Sequence, residues 1–115
     1  MYKIVCLIRR LPGVTHEEFR AHYEATHAPL ALSIMPALRE RLRRYVRRYP
    51  DPLAGEVDFD VMMEMWFDDK ASHQAALADL ANPDVTAQIL ADEAHFLDRA
   101  TMRVFAVEEC DSDLS

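Results

Sequence analysis

Apolar and polar positions along the 115-residue chain change period several times, and each change predicts an element. Residues 2–9 are aliphatic and β-branched (Ile4, Val5, Cys6, Leu7, Ile8), and Pro12-Gly13 then breaks the run, which predicts a strand and a turn. Thr15 with Glu18 three residues on has the spacing of a capping box. Phe19 and Tyr23 follow at helical spacing, so residues 16–26 are expected to form an amphipathic helix. Pro29 disfavours helical geometry at Ala28 and is expected to interrupt it, with a short helical continuation before Pro36. Residues 40–49 set Leu42, Tyr45, Val46 and Tyr49 among five arginines; Tyr and Val favour a strand, and Pro50 ends it. The alternation is cleanest over 59–67, where Val61, Met63, Met65 and Phe67 share one face and Asp60, Met62, Glu64 and Trp66 the other. A helix is expected from Asp68-Asp69 to about Leu80, and a second, capped by Asp84, from the Asn82-Pro83 break to about Asp98. A last strand covers 101–107, and residues 108–115 form an acidic tail.

The order strand, helix, strand, strand, helix, strand predicts one α+β domain over 1–107, a ferredoxin-like βαββαβ unit with a four-stranded antiparallel sheet. Its helices cover one sheet face. The other face carries Met62 and Trp66 and is too apolar to stay bare, so a homodimer packed through the sheet faces is expected.

Composition removes several function classes. The net charge of -7 opposes binding to nucleic acid or an anionic membrane. Only two glycines are present, Gly13 and Gly55, too few and too far apart for a phosphate-cradling loop. No CxxC pair exists, and Cys6 and Cys110 can bond only if the terminal segments meet. The first apolar stretch is too short for a signal-peptide core or a membrane span, so a cytoplasmic location is expected. Six of the 13 basic residues fall between Arg39 and Arg48. Alternation cannot place them all on one face, which favours pairing with acidic neighbours over a single anion pocket.

The segment Phe19-Arg20-x-x-Tyr23-x-x-x-His27-Ala28-Pro29-Leu30 resembles the signature of EthD-type domains in the dimeric α+β barrel superfamily. Arg44-Tyr45-Val46, Glu64-Met65-Trp66-Phe67-Asp68 and Asp92-Glu93-Ala94-His95-Phe96-Leu97-Asp98 support it in the same order, so that the resemblance spans most of 1–107. It implies a homodimer in which two sheets form a barrel, with a cavity between sheet and helices in each subunit. Superfamily relatives include polyketide cyclases and aromatases, lactone isomerases, quinone-forming monooxygenases and haem-degrading enzymes, so the resemblance implies a fold more firmly than a reaction.

Three titratable residues are candidates for side-chain chemistry. His27 carries an imidazole that can act as general acid or base, or else fix the helix break through its hydrogen bonds. Glu64, in an apolar setting beside Trp66, can shuttle protons, or else pair with Arg44 or Arg103. Tyr45 can donate to a developing oxyanion, or else be a half-buried strand aromatic. Trp66, Tyr23 and Met62 are candidate ligand contacts, Trp66 as a flat wall for an aromatic molecule. The expected activity is a cofactor-free cyclisation, dehydration or isomerisation of a polyketide-like or aromatic carbonyl compound, if His27, Glu64 and Tyr45 converge on one cavity. The alternatives are a non-enzymatic protein that binds a hydrophobic metabolite or assists an oxidase, and a monooxygenase with or without haem, for which His73 or His95 would be the axial ligand. No metal site is expected: His22 and His27 are five residues apart, a spacing that does not set both on one face of a regular helix.

Overall fold

The computed structural model describes residues 1–115. Four strands, β1 (Tyr2–Arg10), β2 (Arg44–Arg48), β3 (Val61–Phe67) and β4 (Leu97–Val107), form one antiparallel sheet in the order β2-β3-β1-β4. This is the expected ferredoxin-like arrangement. Between β1 and β2 run α1 (His16–His22), a π-helical segment (Tyr23–His27), α2 (Ala28–Ile34) and α3 (Pro36–Arg41). Between β3 and β4 run α4 (Lys70–Ala76), a 3-10 turn (Leu77–Ala81) and α5 (Pro83–Glu93).

Alternation sorts the strand residues into two faces. Ile4 pairs with Met65, Cys6 with Met63 and Ile8 with Val61, and these residues form the core with Phe19, Tyr23 and Phe96 and, further along, with Met35, Leu38 and Ala76. The opposite face carries Lys3, Val5 and Leu7 beside Trp66, Glu64 and Met62, with Arg44, Val46 and Arg48 on one flank and Arg103, Phe105 and Val107 on the other.

Thr15 caps α1 as its spacing predicts: its hydroxyl accepts from Glu18 N at 3.1 Å, and the Glu18 carboxylate accepts from Thr15 N at 3.3 Å. The predicted interruption at Ala28-Pro29 is instead a change of helical repeat. Proline has no N–H to give to a carbonyl one turn back. The chain widens just before it, so that Ala28 N–H reaches Tyr23 O across five residues, and α2 then starts with Pro29 in its first turn, where no donor is needed.

Other boundaries also shift. The strand expected at 40–49 shrinks to 44–48, because Pro36 starts a helix that carries Arg39 to Arg41. Asn82, not Asp84, caps α5; its side chain accepts from Asp84 N at 3.0 Å. The last strand begins at Leu97 rather than 101, since Leu97 and Asp98 pair with Arg10 and Arg9 across a register shift in β1. The arginines of 39–48 separate as alternation requires: Arg43 pairs with Asp68 at 2.9 Å, Arg47 with Glu24 at 2.7 Å, and Arg48 with Glu64. Both cysteines are free, Cys6 buried and Cys110 exposed. No helix is long and apolar enough to cross a membrane.

Candidate functional site

A cavity of about 250 Å³ lies between the sheet and its helices. Hydrophobic side chains supply 18 of its 22 lining residues. The other four are His27, His73 and the ion pair of Glu93 with Arg99, and Tyr23 and Tyr45, counted among the 18, add two hydroxyls.

His27 is the best supported of them. It ends the π segment and is buried, with its ring between Tyr23, at 5.4 Å and perpendicular, and Phe96 at 5.1 Å. Its Nδ1 lies 2.7 Å from Asp92 Oδ2, and the other oxygen, Oδ1, lies 2.9 Å from His22 Nε2. An α-helix of about 3.6 residues per turn would leave positions 22 and 27 well apart around its axis. The i to i+5 repeat of the π segment brings them back toward one side, and both reach the same carboxylate on α5. The expectation that a five-residue spacing keeps these histidines apart is thus corrected by the helical form that Pro29 imposes.

Burial is the largest influence on the Asp92 carboxyl and pushes its pKa up, but the hydrogen bonds and charges of His27 and His22 together outweigh it and hold the group below its ordinary value. An ionised Asp92 can only accept. His27 therefore donates from Nδ1, and in its neutral form the lone pair is then on Nε2, in a ring that forms part of the cavity wall.

The phenols of Tyr23 and Tyr45 meet in the same wall. Burial, and then Tyr45, push Tyr23 well above its ordinary pKa. Burial raises Tyr45 as well, although the Tyr23 hydroxyl and Arg47 act against it. Both are neutral hydrogen-bond donors at neutral pH. Arg47 sits 4.6 Å over the Tyr45 ring and donates twice to Glu24, at 2.9 and 2.7 Å, and Tyr49 donates to Glu24 at 2.6 Å. This network ties the edge strand β2 to the π segment and so fixes Tyr45 relative to His27. Cys6 also lines the cavity, where burial pushes its thiol up to about 11, so it is not a nucleophile at neutral pH.

Glu64 does not join His27 and Tyr45. It stands on the opposite sheet face, paired with Arg48 and accepting from Trp66 Nε1 at 3.4 Å. Met62 and Trp66 stand there too; Trp66 lies between Lys3, 3.6 Å from its ring centroid, and Arg44 at 4.8 Å. The expected convergence of three groups on one cavity thus reduces to two, because alternation along β3 sends Met63 and Met65 inward and Met62, Glu64 and Trp66 outward. Of the candidate ligand contacts, Tyr23 alone reaches the cavity. Asp92, Glu93 and Arg99 were not among the candidate site residues, and His22 was weighed only as a metal ligand; the structure places all four at or beside the cavity wall. The adjacent carboxylates at 92–93 were visible, but their partners were not.

His73 borders the other end of the cavity, its ring against Phe67 at 5.1 Å and Tyr2 at 5.7 Å. His95 lies beside His22, 6.1 Å between rings. The cavity, at about 250 Å³, falls below the ~300–1,000 Å³ typical of ligand pockets. No group of three or more His, Cys, Asp or Glu side chains is placed to hold a metal ion.

The model of the EthD domain matches residues 11–100. The chain belongs to the EthD family. An ethyl tert-butyl ether D family protein from Bacillus halodurans C-125 is 26% identical, with a TM-score of 0.64 and coverage of 96% of this chain and 100% of that one. A protein from Arabidopsis thaliana shares the fold at 16% identity and a TM-score of 0.65, covering 99% of this chain and 100% of that one. A dimeric ferredoxin-like protein of unknown function from Thermobifida fusca shares the fold at 23% identity and a TM-score of 0.59, covering 92% and 88% of the two chains. No curated protein sequence matches this EthD chain.

Proposed function

We propose that this EthD protein is a homodimer whose cavity binds a small apolar or aromatic carbonyl compound and moves a proton on it, in a cyclisation, dehydration or isomerisation. The observation that carries the reading is the 2.7 Å contact between half-buried Asp92 Oδ2 and Nδ1 of buried His27, in an imidazole that also forms part of the wall of an apolar cavity. His27 Nε2 takes a proton from the carbon next to the carbonyl. The C–H electron pair passes to the carbonyl oxygen as an enolate, and Asp92 stabilises the imidazolium that forms. Tyr45, a neutral phenol, donates to the enolate oxygen. The proton on Nε2 then returns to the carbon or the leaving oxygen that completes the reaction. Glu64 has no part in these steps. The cavity volume suits a molecule about the size of a substituted benzene ring.

The dimer rests on the outer sheet face. Val5, Leu7, Met62, Trp66 and Phe105 lie there without a covering helix, and Phe105 is 44% exposed. Similar folds from Thermobifida fusca and Bacteroides fragilis are described as dimeric.

The proton-transfer step is tested by deuterium exchange at the α-carbon of an aryl methyl ketone in D₂O, followed by NMR. Faster exchange with the protein, lost in His27→Ala, supports the reading. Exchange at the same rate with His27→Ala as with the natural chain overturns it. Binding of the ketone in the cavity without faster exchange would instead favour a protein that holds a hydrophobic metabolite, a reading supported by the 18 hydrophobic lining residues.

A further inference from the structure

We infer that His22 is a positioning residue, which acts through Asp92 to fix the tautomer and the aim of the His27 ring. The geometry alone carries this; only the catalytic consequence rests on the proton-transfer reading above.

Asp92 is the one carboxylate that touches both imidazoles, and it gives each a separate oxygen: Oδ2 to His27 Nδ1 at 2.7 Å and Oδ1 to His22 Nε2 at 2.9 Å. A carboxylate bound at one oxygen can rotate about its last side-chain torsion, which is broad and shallow. One bound at both oxygens has its plane set. Because an ionised carboxylate only accepts, both rings must donate, which makes His22 the Nε2–H tautomer and His27 the Nδ1–H tautomer. The three residues come from separate elements, α1, the end of the π segment and α5, so the bridge also holds the π segment against α5.

No side chain other than His22 and His27 donates to the Asp92 carboxylate. Phe96 fills the space between the two imidazoles, 4.5 Å from the His22 ring and 5.1 Å from the His27 ring, and is itself 1% exposed. His95 lies with its ring tilted 6.1 Å from that of His22 but makes no hydrogen bond to the carboxylate. The neighbouring Glu93 is engaged with Arg99. Without His22, Oδ1 loses its donor, the Asp92 carboxyl is free to turn, and the His27 ring can take up a proton at either nitrogen. In an Nε2–H ring the free lone pair points away from the cavity, and the base is lost.

Nitrogen-15 correlation spectra of the histidine rings test this without any substrate. They are recorded on the full chain at a pH where both imidazoles are neutral. In the natural protein His27 is expected as the Nδ1–H tautomer. In His22→Phe, which keeps the ring packing on Phe96, the His27 signals are expected to move to an average of both tautomers. In His22→Gln, whose amide can still donate to Oδ1, they are expected to return to the Nδ1–H pattern. Circular dichroism melts confirm that each variant is folded, and His22→Gln carries the test if His22→Phe is not. In that case a folded His22→Gln that keeps the Nδ1–H form supports the inference. An Nε2–H His27 in the natural protein, an unchanged tautomer in His22→Phe, or a mixed tautomer in a folded His22→Gln overturns it. Failure of the proton-transfer reading is seen separately, as α-carbon exchange that does not depend on His27.

Discussion

The two faces of the sheet are made by the same four strands, yet they treat polar side chains in opposite ways. On the inner face, His27 and Tyr45 meet an apolar cavity and receive their partners from behind, Asp92 for the imidazole and Arg47 for the phenol ring. Their reactive atoms stay available. On the outer face, Glu64 is engaged by Arg48 and Trp66, and Trp66 by Lys3 and Arg44. Neither Glu64 nor Trp66 is left free to act on a ligand. A polar group is poised for chemistry when its supporting partners lie on the side away from the cavity. It is structural when its partners use the atoms that chemistry would need. By that criterion the inner face is the proposed site and the outer face the proposed dimer contact.

The comparison breaks first if the two faces contribute alike to proton transfer. His27→Ala should lower α-carbon exchange by about 10²-fold or more, the range of general acid–base catalysis, while Glu64→Gln should leave it within about two-fold. Equal losses in the two variants would dissolve the distinction.

That division of labour was only partly legible in the sequence. The alternation of Val61 to Phe67 sorted the β3 side chains onto their two faces, and the capping pair Thr15 and Glu18 marked the start of α1, because both depend on local spacing. The meeting of His22, His27 and Asp92 was not legible. It needs a helical repeat that changes just before Pro29 and a carboxylate from 65 positions beyond His27. The residues of that meeting were all in the segments that resemble the EthD family, but a resemblance does not say which atoms touch. Glu64 was assigned to the correct face by its register. The cavity lies on the other face, which one strand's pattern cannot reveal.

The next largest effect is on assembly. A charge at the outer face, Phe105→Asp, should convert a dimer into a monomer of 13.2 kDa by light scattering and leave the far-ultraviolet circular dichroism unchanged. An unaltered dimer mass would remove the outer face from the interface.

A smaller effect is expected at Tyr45. Tyr45→Phe should slow exchange by about ten-fold, less than the ~10²–10³ lost with a sole oxyanion donor, because Tyr23 remains beside it. A change in melting temperature with no change in exchange would make Tyr45 structural only.

The smallest effect is on stability and carries a sign. Asp92 has its folded pKa held below the unfolded value, so it contributes stability that is present above the ordinary carboxylate pKa of about 3.9 and lost as pH falls through the folded value. The natural protein should exceed Asp92→Asn by about 1–3 kcal/mol at neutral pH in urea melts, with the gap closing in that acid range. Asp58 is lowered in the same direction, first by its hydrogen bonds to Arg103, but it is fully exposed, so added salt should erase its contribution and leave that of Asp92. A gap that is constant with pH would contradict the role given to the His22–Asp92–His27 bridge.

Methionine methyl groups report on both faces at once. Met63 and Met65 line the cavity, and Met62, next to Met63 in sequence, stands on the outer face. With carbon-13 labelled methionine methyls, titration with an aryl methyl ketone should shift the Met63 and Met65 signals and leave Met62 in place, while dilution through the dimer equilibrium should shift Met62 alone. A ketone that shifts Met62 and spares Met63 and Met65 would contradict the assignment of ligand chemistry to the inner face.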